Sequence, residues 1–188
     1  MSKGKIILVS GPSGVGKKTI LDGVTINNEF DLLYSISYTT RPKREHEEHG
    51  KDYFFVSEEE FLNCIANNEF IEYVKFCEYY YGTPKSYVNK LLEEGKNVLL
   101  EIEVEGAKKV LEEFDHSTVV SFFIVPPSIE VLEQRLINRN TETKEVIAKR
   151  IAKATQEIKE KDMYQYIIVN DDVKTAQEEI RKIIKQNI

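Results

Sequence analysis

The 188-residue sequence predicts an α/β fold built on a parallel sheet. Four apolar, strand-like segments alternate with segments of helical periodicity, a pattern typical of parallel sheets covered by helices. These strand-like segments are 6–9, 98–102, 119–125 and 166–169. The stretch 34–84 differs, because it contains short hairpin-like strands and one helix. We interpret it as a smaller lobe inserted into the α/β core.

Local signals place the remaining elements along the chain. Capping-box spacing at 57–60 predicts the start of a helix, Gly95 predicts a helix end, and residues 79–84 are predicted to form a turn. Further short strands are expected at 34–38, 53–56 and 70–77. Amphipathic periodicity predicts helices over 17–28, 58–65, 84–95, 106–114, 128–137, 144–161 and 173–186.

The composition is that of an ordinary globular protein, with 41% hydrophobic and 31% charged residues. No apolar run approaches the ~20 residues that a membrane span needs, and the N-terminus lacks a signal-peptide pattern. Cys64 and Cys77 have no CxxC spacing, so we expect a cytoplasmic protein without disulfides. The net charge of −6 argues against a nucleic-acid binder with a broad basic face. An anionic ligand would therefore need local clusters of cations.

The first such cluster is a glycine-rich turn, GPSGVGK at 11–17, which follows the first apolar strand. Glycines allow a tight turn whose N–H groups point at one anion, and the following helix adds its positive dipole end. Lys17 then supplies a mobile charge for the outer phosphates of a nucleotide. The strict pattern has Ser or Thr directly after the lysine, whereas here Lys18 precedes Thr19. A purely structural turn is the alternative, disfavoured by the strand before it and the helix after it.

The second cluster follows the strand predicted at 34–38. Arg41 and Arg44 flank Pro42, and guanidiniums this close repel each other unless they share an anion such as a phosphate. Taken alone, a solvated basic loop is an equally good interpretation. Tyr53 and Tyr81 are candidates to add hydroxyl groups to that phosphate.

Carboxylates form the third feature. Glu72 lies between apolar neighbours in FIEYV and is either solvent-facing or a recognition acceptor. A single carboxylate can bind the adjacent N1–H and amino groups of guanine, which adenine does not offer. Glu101, Glu103 and Glu105 fall at alternate positions where an apolar strand ends, and ligands bind at the carboxyl ends of strands in an open parallel sheet.

The last cluster contains Arg135, Arg139 and Arg150 on two helices joined by a polar bend. A closing lid would deliver positive charge to a transferring phosphoryl group in this way. Two solvated helix faces are the alternative.

Together these segments resemble the guanylate kinase family along essentially the whole chain. The matching segments are GPSGVGK, SYTTRPKR, GKDYFFV, NNEFIEY, YYGTP, LEIEVEGA, FIVPPS, RNTET and IVNDD. The resemblance implies one domain, 1–188, with a three-layer P-loop kinase core, an inserted GMP-binding lobe and a helical lid. The core would comprise 1–33, 85–125 and 158–188, the lobe 34–84 and the lid 126–157.

The resemblance also implies an activity: reversible in-line transfer of the γ-phosphoryl group of ATP to GMP, with Mg²⁺ as cofactor. The implied catalytic residues are Lys17, Arg41, Arg139 and Arg150. The implied ATP-binding residues are Ser13, Gly14, Val15, Gly16, Lys17, Lys18, Thr19, Arg135 and Asn170, with Thr19 as a Mg²⁺ ligand. The implied GMP-binding residues are Ser37, Arg41, Arg44, Tyr53, Glu72, Tyr81, Thr83 and Glu101.

Three residues depart from the family pattern. Lys18 stands where the family has Ser or Gly, Glu103 where Asp is usual, and Glu105 where Gln is common. ATP and GMP, with dGMP as a further acceptor, would be the partners of a monomer or homodimer that binds neither nucleic acid nor membrane.

Two other functions are compatible with parts of this sequence. One is a non-catalytic guanylate-kinase-like domain that binds peptides or phosphopeptides, but such domains typically have degraded glycine loops, and this loop is complete. The other is a kinase for a different nucleoside monophosphate, against which Glu72 and Thr83 argue through the resemblance.

Overall fold

The computed structural model describes residues 3–76, 78–138 and 143–188, and within them the chain forms nine strands and seven α-helices. The strands are β1 (Ile6–Ser10), β2 (Leu32–Tyr34), β3 (Tyr38–Thr39), β4 (Phe54–Phe55), β5 (Phe70–Phe76), β6 (Tyr79–Pro84), β7 (Asn97–Glu101), β8 (Val119–Val125) and β9 (Tyr166–Val169). The helices are α1 (Lys17–Thr25), α2 (Glu58–Ala66), α3 (Lys85–Glu93), α4 (Val104–Glu113), α5 (Ile129–Asn138), α6 (Lys144–Ile158) and α7 (Val173–Asn187).

The central sheet has the strand order β2-β7-β1-β8-β9, and all of its pairings between described strands are parallel. Side chains alternate across β1, so that Ile7 and Val9 pack in a core with α1 and α7, whereas Ile6 and Leu8 pack in a core with α3 and α4. Helices therefore cover both faces, which confirms the predicted three-layer α/β fold.

The prediction of one continuous strand at 34–38 was wrong. Leu32–Tyr34 forms β2, which pairs with β7 at the edge of the central sheet, and Tyr38–Thr39 forms β3 in a second sheet. Two leucines precede Tyr34, and Leu32 is buried against the helices of the first core. Burial of this apolar start pulls β2 into the central sheet, so one apparent strand becomes two.

The second sheet has the order β4-β3-β6-β5 and mixes parallel and antiparallel pairs. The turn predicted at 79–84 was wrong: these residues form β6, an inner strand between β3 and β5. The aromatic run that begins β6 fits a strand, and Tyr80 stacks on Phe61 of α2 with ring centroids 5.3 Å apart. Pro84 ends the strand and is the N-cap of α3 rather than part of a turn.

Helices α5 and α6 pack against each other through Leu132, Leu136, Ile147 and Ala154. They match the helices predicted at 128–137 and 144–161 to within a few residues. None of the helices in the described ranges is both long enough and apolar enough to cross a bilayer.

Candidate active site

The glycine-rich loop connects β1 to α1 at the carboxyl end of the central sheet. Gly14 and Gly16 have φ values of 89° and 97°, in the left-handed region that favours glycine. A Cβ at Gly11 would lie 2.4 Å from the carbonyl oxygen of Ile124, so the close approach of the loop backbone to β8 also requires glycine. The loop consequently brings the unpaired N–H groups at the start of α1 to a place where an anion can bind.

Lys17 lies directly beneath this loop. Its Nζ donates hydrogen bonds to the carbonyl oxygens of Gly11, at 2.6 Å, and Pro12, at 3.3 Å. Burial lowers the pKa of Lys17, and the nearby carboxylates of Glu101, Glu157 and Glu103 oppose that shift. A cavity of about 220 Å³, called here the Lys17 cavity, is lined by Gly11, Ser13, Lys17, Glu101, Ile102, Glu103 and Glu157.

A second cavity, of about 350 Å³, lies on the other side of the loop and is called here the Asn170 cavity. It is lined by Gly14, Val15, Gly16, Thr19, Arg135, Asn138, Asn170 and Val173. Asn170 is 2% exposed and donates from Nδ2 to the Val15 carbonyl at 2.7 Å, while Arg135 donates to the carbonyl of Asn170 at 2.8 Å. Within the described chain the buried Asn170 Oδ1 has no hydrogen-bond partner. It is therefore an available acceptor beside the cavity.

Arg41 is held by a residue that the sequence analysis missed, Glu47. The two guanidinium NH groups of Arg41 bond the two Glu47 oxygens at 2.6 and 3.0 Å, and Glu47 also accepts the backbone N–H of Arg44 at 2.8 Å. The Arg41 bond and the Arg44 N–H lower the pKa of Glu47 to about 2. Glu47 and, to a smaller degree, the Tyr81 hydroxyl raise the pKa of Arg41. Arg41 also lies 5.5 Å from the ring centroid of Tyr53.

A third pocket is built around Glu72, which is 8% exposed. Thr83 Oγ1, on the neighbouring strand, donates to Glu72 Oε1 at 2.5 Å. Burial raises the pKa of Glu72, opposed by the Thr83 hydrogen bond and the charge of Lys109. A Cβ at Gly106 of α4 would lie 2.9 Å from Glu72 Oε2, so the glycine leaves room for the carboxylate. The pocket, about 260 Å³ and called here the Glu72 pocket, is also lined by Ser37, Tyr53, Tyr81, Glu101 and Lys109.

A larger cleft of about 490 Å³ adjoins this pocket, and Lys18 lies on its wall together with Ser37, Glu47, Tyr53, Thr83 and Glu101. The Lys18 ammonium bonds Asp22 at 2.9 Å, one turn along α1, and its side chain is 79% exposed. Glu101, at the end of β7, lines this cleft, the Glu72 pocket and the Lys17 cavity. One strand end thus connects a site beside the glycine loop to a site beside Glu72.

Comparisons with known proteins identify the family of this chain. A family model described as "Guanylate kinase" matches residues 3–187. The chain belongs to the guanylate kinase family. The guanylate kinase of Malacoplasma penetrans is 52% identical over 186 residues, covering 99% of this chain and 95% of that protein. The guanylate kinase of Caldanaerobacter subterraneus subsp. tengcongensis is 48% identical, covering 97% and 87%. The crystal structure of guanylate kinase from Anaplasma phagocytophilum superposes with a TM-score of 0.71 at 34% identity, covering 99% and 87%.

The structure brings most of the predicted site residues of this guanylate kinase family member to these cavities. Thr19 lies on the wall of the Asn170 cavity, apart from the acidic groups beside Lys17. Arg150 lies on α6, whereas Arg139 falls outside the described residues. Besides Glu47, sequence reasoning missed the Lys153 contact with Glu103 at 2.8 Å. An acid three residues after Arg44 was the available signal for Glu47, but no local pattern joins Lys153 to Glu103.

Proposed function

We propose that this protein is a guanylate kinase that transfers the γ-phosphoryl group of ATP reversibly to GMP, giving ADP and GDP. The observation that carries the proposal is the buried Glu72–Thr83 pair in a pocket that meets the Lys17 cavity at Glu101. Membership of the guanylate kinase family supports phosphoryl transfer as the reaction, and the Glu72 pocket supports GMP as the acceptor. We expect dGMP to be a further acceptor.

The donor side would use the glycine loop. Backbone N–H groups of residues 13–19 and the ammonium of Lys17 would bind the ATP phosphates. Release of Lys17 from the carbonyls of Gly11 and Pro12 frees its donors for this purpose. The unpaired Oδ1 of Asn170 is an acceptor that suits the amino group of adenine, beside Arg135.

The acceptor side would use two kinds of group. The guanidiniums of Arg41 and Arg44 and the hydroxyls of Tyr53 and Tyr81 would bind the GMP phosphate. Glu72 would accept hydrogen bonds from guanine N1–H and its amino group, since Thr83 holds the carboxylate in place. Ser37 and Glu101 would complete the contacts to guanine.

Catalysis would consist of alignment and charge neutralisation rather than proton abstraction. The acceptor is a phosphate oxygen that is already largely ionised, because the second pKa of a phosphomonoester is about 6. Once the two anionic substrates are held in line, transfer requires only neighbouring cations that neutralise the charge of their phosphates. Lys17 would supply one, and Arg135, Arg139 and Arg150 would supply others as α5 and α6 close and exclude water.

Mg²⁺ fits the chemistry of the oxygen donors beside Lys17. Mg²⁺ usually keeps several waters and binds one or two carboxylates plus substrate phosphates, and the Glu101 carboxylate and the Ser13 hydroxyl lie on this cavity. In the described ranges no cluster of three or more acidic, His or Cys residues could hold a metal alone, in keeping with an ion that arrives with ATP. Thr19, the Mg²⁺ ligand predicted from the sequence, lies on the wall of the separate Asn170 cavity, so its role as a ligand stays a prediction. When bound, Mg²⁺ neutralises charge on the phosphates.

The test is a coupled ADP-release assay with Mg-ATP and each of GMP, dGMP, AMP, CMP and UMP. We expect turnover with GMP and dGMP, lost in Lys17→Ala and retained in the matched control Lys182→Ala, an exposed lysine on α7. Equal turnover of AMP would contradict the assigned acceptor. Folded protein that binds GMP and turns over no acceptor would instead identify a non-catalytic, peptide- or phosphopeptide-binding domain. We expect the enzyme to act in the cytoplasm as a monomer or homodimer.

A further inference from the structure

Lys153 joins the two-helix segment to the end of the central sheet. It lies on α6, and its Nζ contacts Glu103 Oε2 at 2.8 Å and Glu157 Oε1 at 3.6 Å. Glu103 is the N-cap residue of α4, two residues beyond the end of β7. The contact therefore spans from the helix pair α5–α6 to the strand end where the donor and acceptor cavities meet.

Both carboxylates that contact Lys153 lie on the Lys17 cavity. Helix periodicity places Arg150, Lys153 and Glu157 on one face of α6, because they are spaced three and four residues apart. Arg150 is one of the cations proposed above for the transferring phosphoryl group. Lys153 thus occupies the next turn of the same face, and it lines a neighbouring cavity of about 250 Å³ that shares Glu103 and Glu157 with the Lys17 cavity.

The Glu103–Lys153 pair is poorly suited to a structural role. The side chains of Lys153 and Glu103 are 57% and 66% exposed, and an ion pair in that environment adds little to stability. Separating the Lys153 ammonium from the Glu103 carboxylate therefore costs little free energy. A triphosphate carries more negative charge than one carboxylate, so bound ATP would compete effectively for the same ammonium.

We propose that Lys153 is a further phosphate-binding residue, held by Glu103 while the site is empty and transferred to the ATP phosphates when nucleotide binds. This assignment rests on the proposed kinase function. The step breaks the Lys153–Glu103 contact and forms an ammonium–phosphate hydrogen bond, with no proton or covalent change. Glu103, which stands where the family usually has Asp, serves as the resting partner of Lys153.

The experiment compares Lys153→Met with Lys159→Met, a control lysine at the C-cap of α6 whose ammonium bonds Gln156. Loss of a hydrogen bond to a charged group predicts a fall of about 10- to 100-fold in kcat/KM for ATP and in Mg-ATP affinity by calorimetry. Lys159→Met should match the wild type. Glu103→Gln should leave ATP affinity equal or higher, because it only frees Lys153.

The charge-swapped double variant Glu103→Lys, Lys153→Glu separates phosphate binding from structure. It can rebuild the ion pair but places a carboxylate where we expect the phosphate contact. We expect it to remain as impaired as Lys153→Met; restored ATP affinity, or a Lys153→Met protein indistinguishable from Lys159→Met, would overturn the proposal. Calorimetry reads out ATP binding directly, so the result is interpretable even if the wild type fails to phosphorylate GMP.

Discussion

Glu72→Gln is the smallest change that tests the acceptor pocket. The amide has the shape of the carboxylate and can still accept the Thr83 hydroxyl, which now donates to Glu72 Oε1 at 2.5 Å. The amide replaces the second acceptor oxygen with a donor NH₂ group. Guanine N1–H and its amino group, both donors, would then face one neutral acceptor and one donor.

The expected loss follows from those bonds. A hydrogen bond to a charged group contributes about 1.5–3 kcal/mol, so two such bonds amount to about 3–6 kcal/mol of acceptor binding. At about 1.4 kcal/mol per decade, kcat/KM for GMP should fall about 10²- to 10⁴-fold. The KM for ATP should stay near the wild-type value, because Glu72 does not line the cavities beside the glycine loop.

The stability of the Glu72→Gln protein should rise, in contrast to its kcat/KM for GMP. Burial raises the folded-state pKa of Glu72, so between its unfolded and folded pKa values the folded state binds more protons, and stability falls as pH rises through this interval. At pH 7 the wild type therefore carries an unfavourable buried charge that Glu72→Gln lacks. We expect a higher free energy of unfolding for the variant at pH 7, and a difference that shrinks below about pH 4, where a carboxyl group is protonated in both states.

Steady-state kinetics with GMP and urea unfolding at several pH values provide both readouts. Glu112→Gln, an exposed position on α4, is the matched control and should change neither quantity. A Glu72→Gln protein with kcat/KM for GMP within threefold of wild type would refute the role of the carboxylate. Lower stability at pH 7 would refute the burial argument.

Two further predictions concern neighbours of the acceptor site. Gly106→Ala puts a methyl group 2.9 Å from Glu72 Oε2, so the carboxylate has to move. Since a misplacement of about 1 Å can cost about 10²-fold in rate, we expect kcat/KM for GMP to be about 10- to 100-fold lower in steady-state assays. An unchanged value would contradict the prediction. Glu47→Gln should raise the KM for GMP by weakening the hold on Arg41. Because the folded pKa of Glu47 is about 2, its stabilising effect is present above about pH 4.5 and is lost towards pH 2. Unfolding curves of the two proteins should converge there, and parallel curves would count against the Arg41 contact.

The core of the fold was predictable because its signals are local. The apolar run of β1 and the glycines after it determine a buried strand and a tight turn without reference to distant residues. The Glu72–Thr83 pair was different, since it depends on β5 pairing with β6, and the sequence analysis read β6 as a turn. Only the family resemblance pointed to both residues, because their contact is set by strand register rather than by a pattern within either segment.

The charge pairs at the site were also difficult to predict. Glu47 lies in a loop rich in both charges, where composition alone predicts solvated side chains, and only the folded backbone brings it against Arg41 and the Arg44 N–H. Lys153 and Glu103 are 50 residues apart in sequence. Their contact requires α6 to lie beside the start of α4, and no sequence motif predicts that arrangement.

The two acidic partners of site cations differ in burial, and this difference predicts opposite roles. Glu47 is 8% exposed and binds Arg41 through two bonds while accepting a backbone N–H, so it fixes one orientation of the guanidinium. Glu103 is 66% exposed and binds Lys153 through a single contact at 2.8 Å, which solvent already weakens. Neutralising Glu47 should therefore impair GMP binding, because an oriented arginine becomes free to move. Neutralising Glu103 should leave ATP binding intact or improve it, because the ammonium loses a competitor for the phosphate.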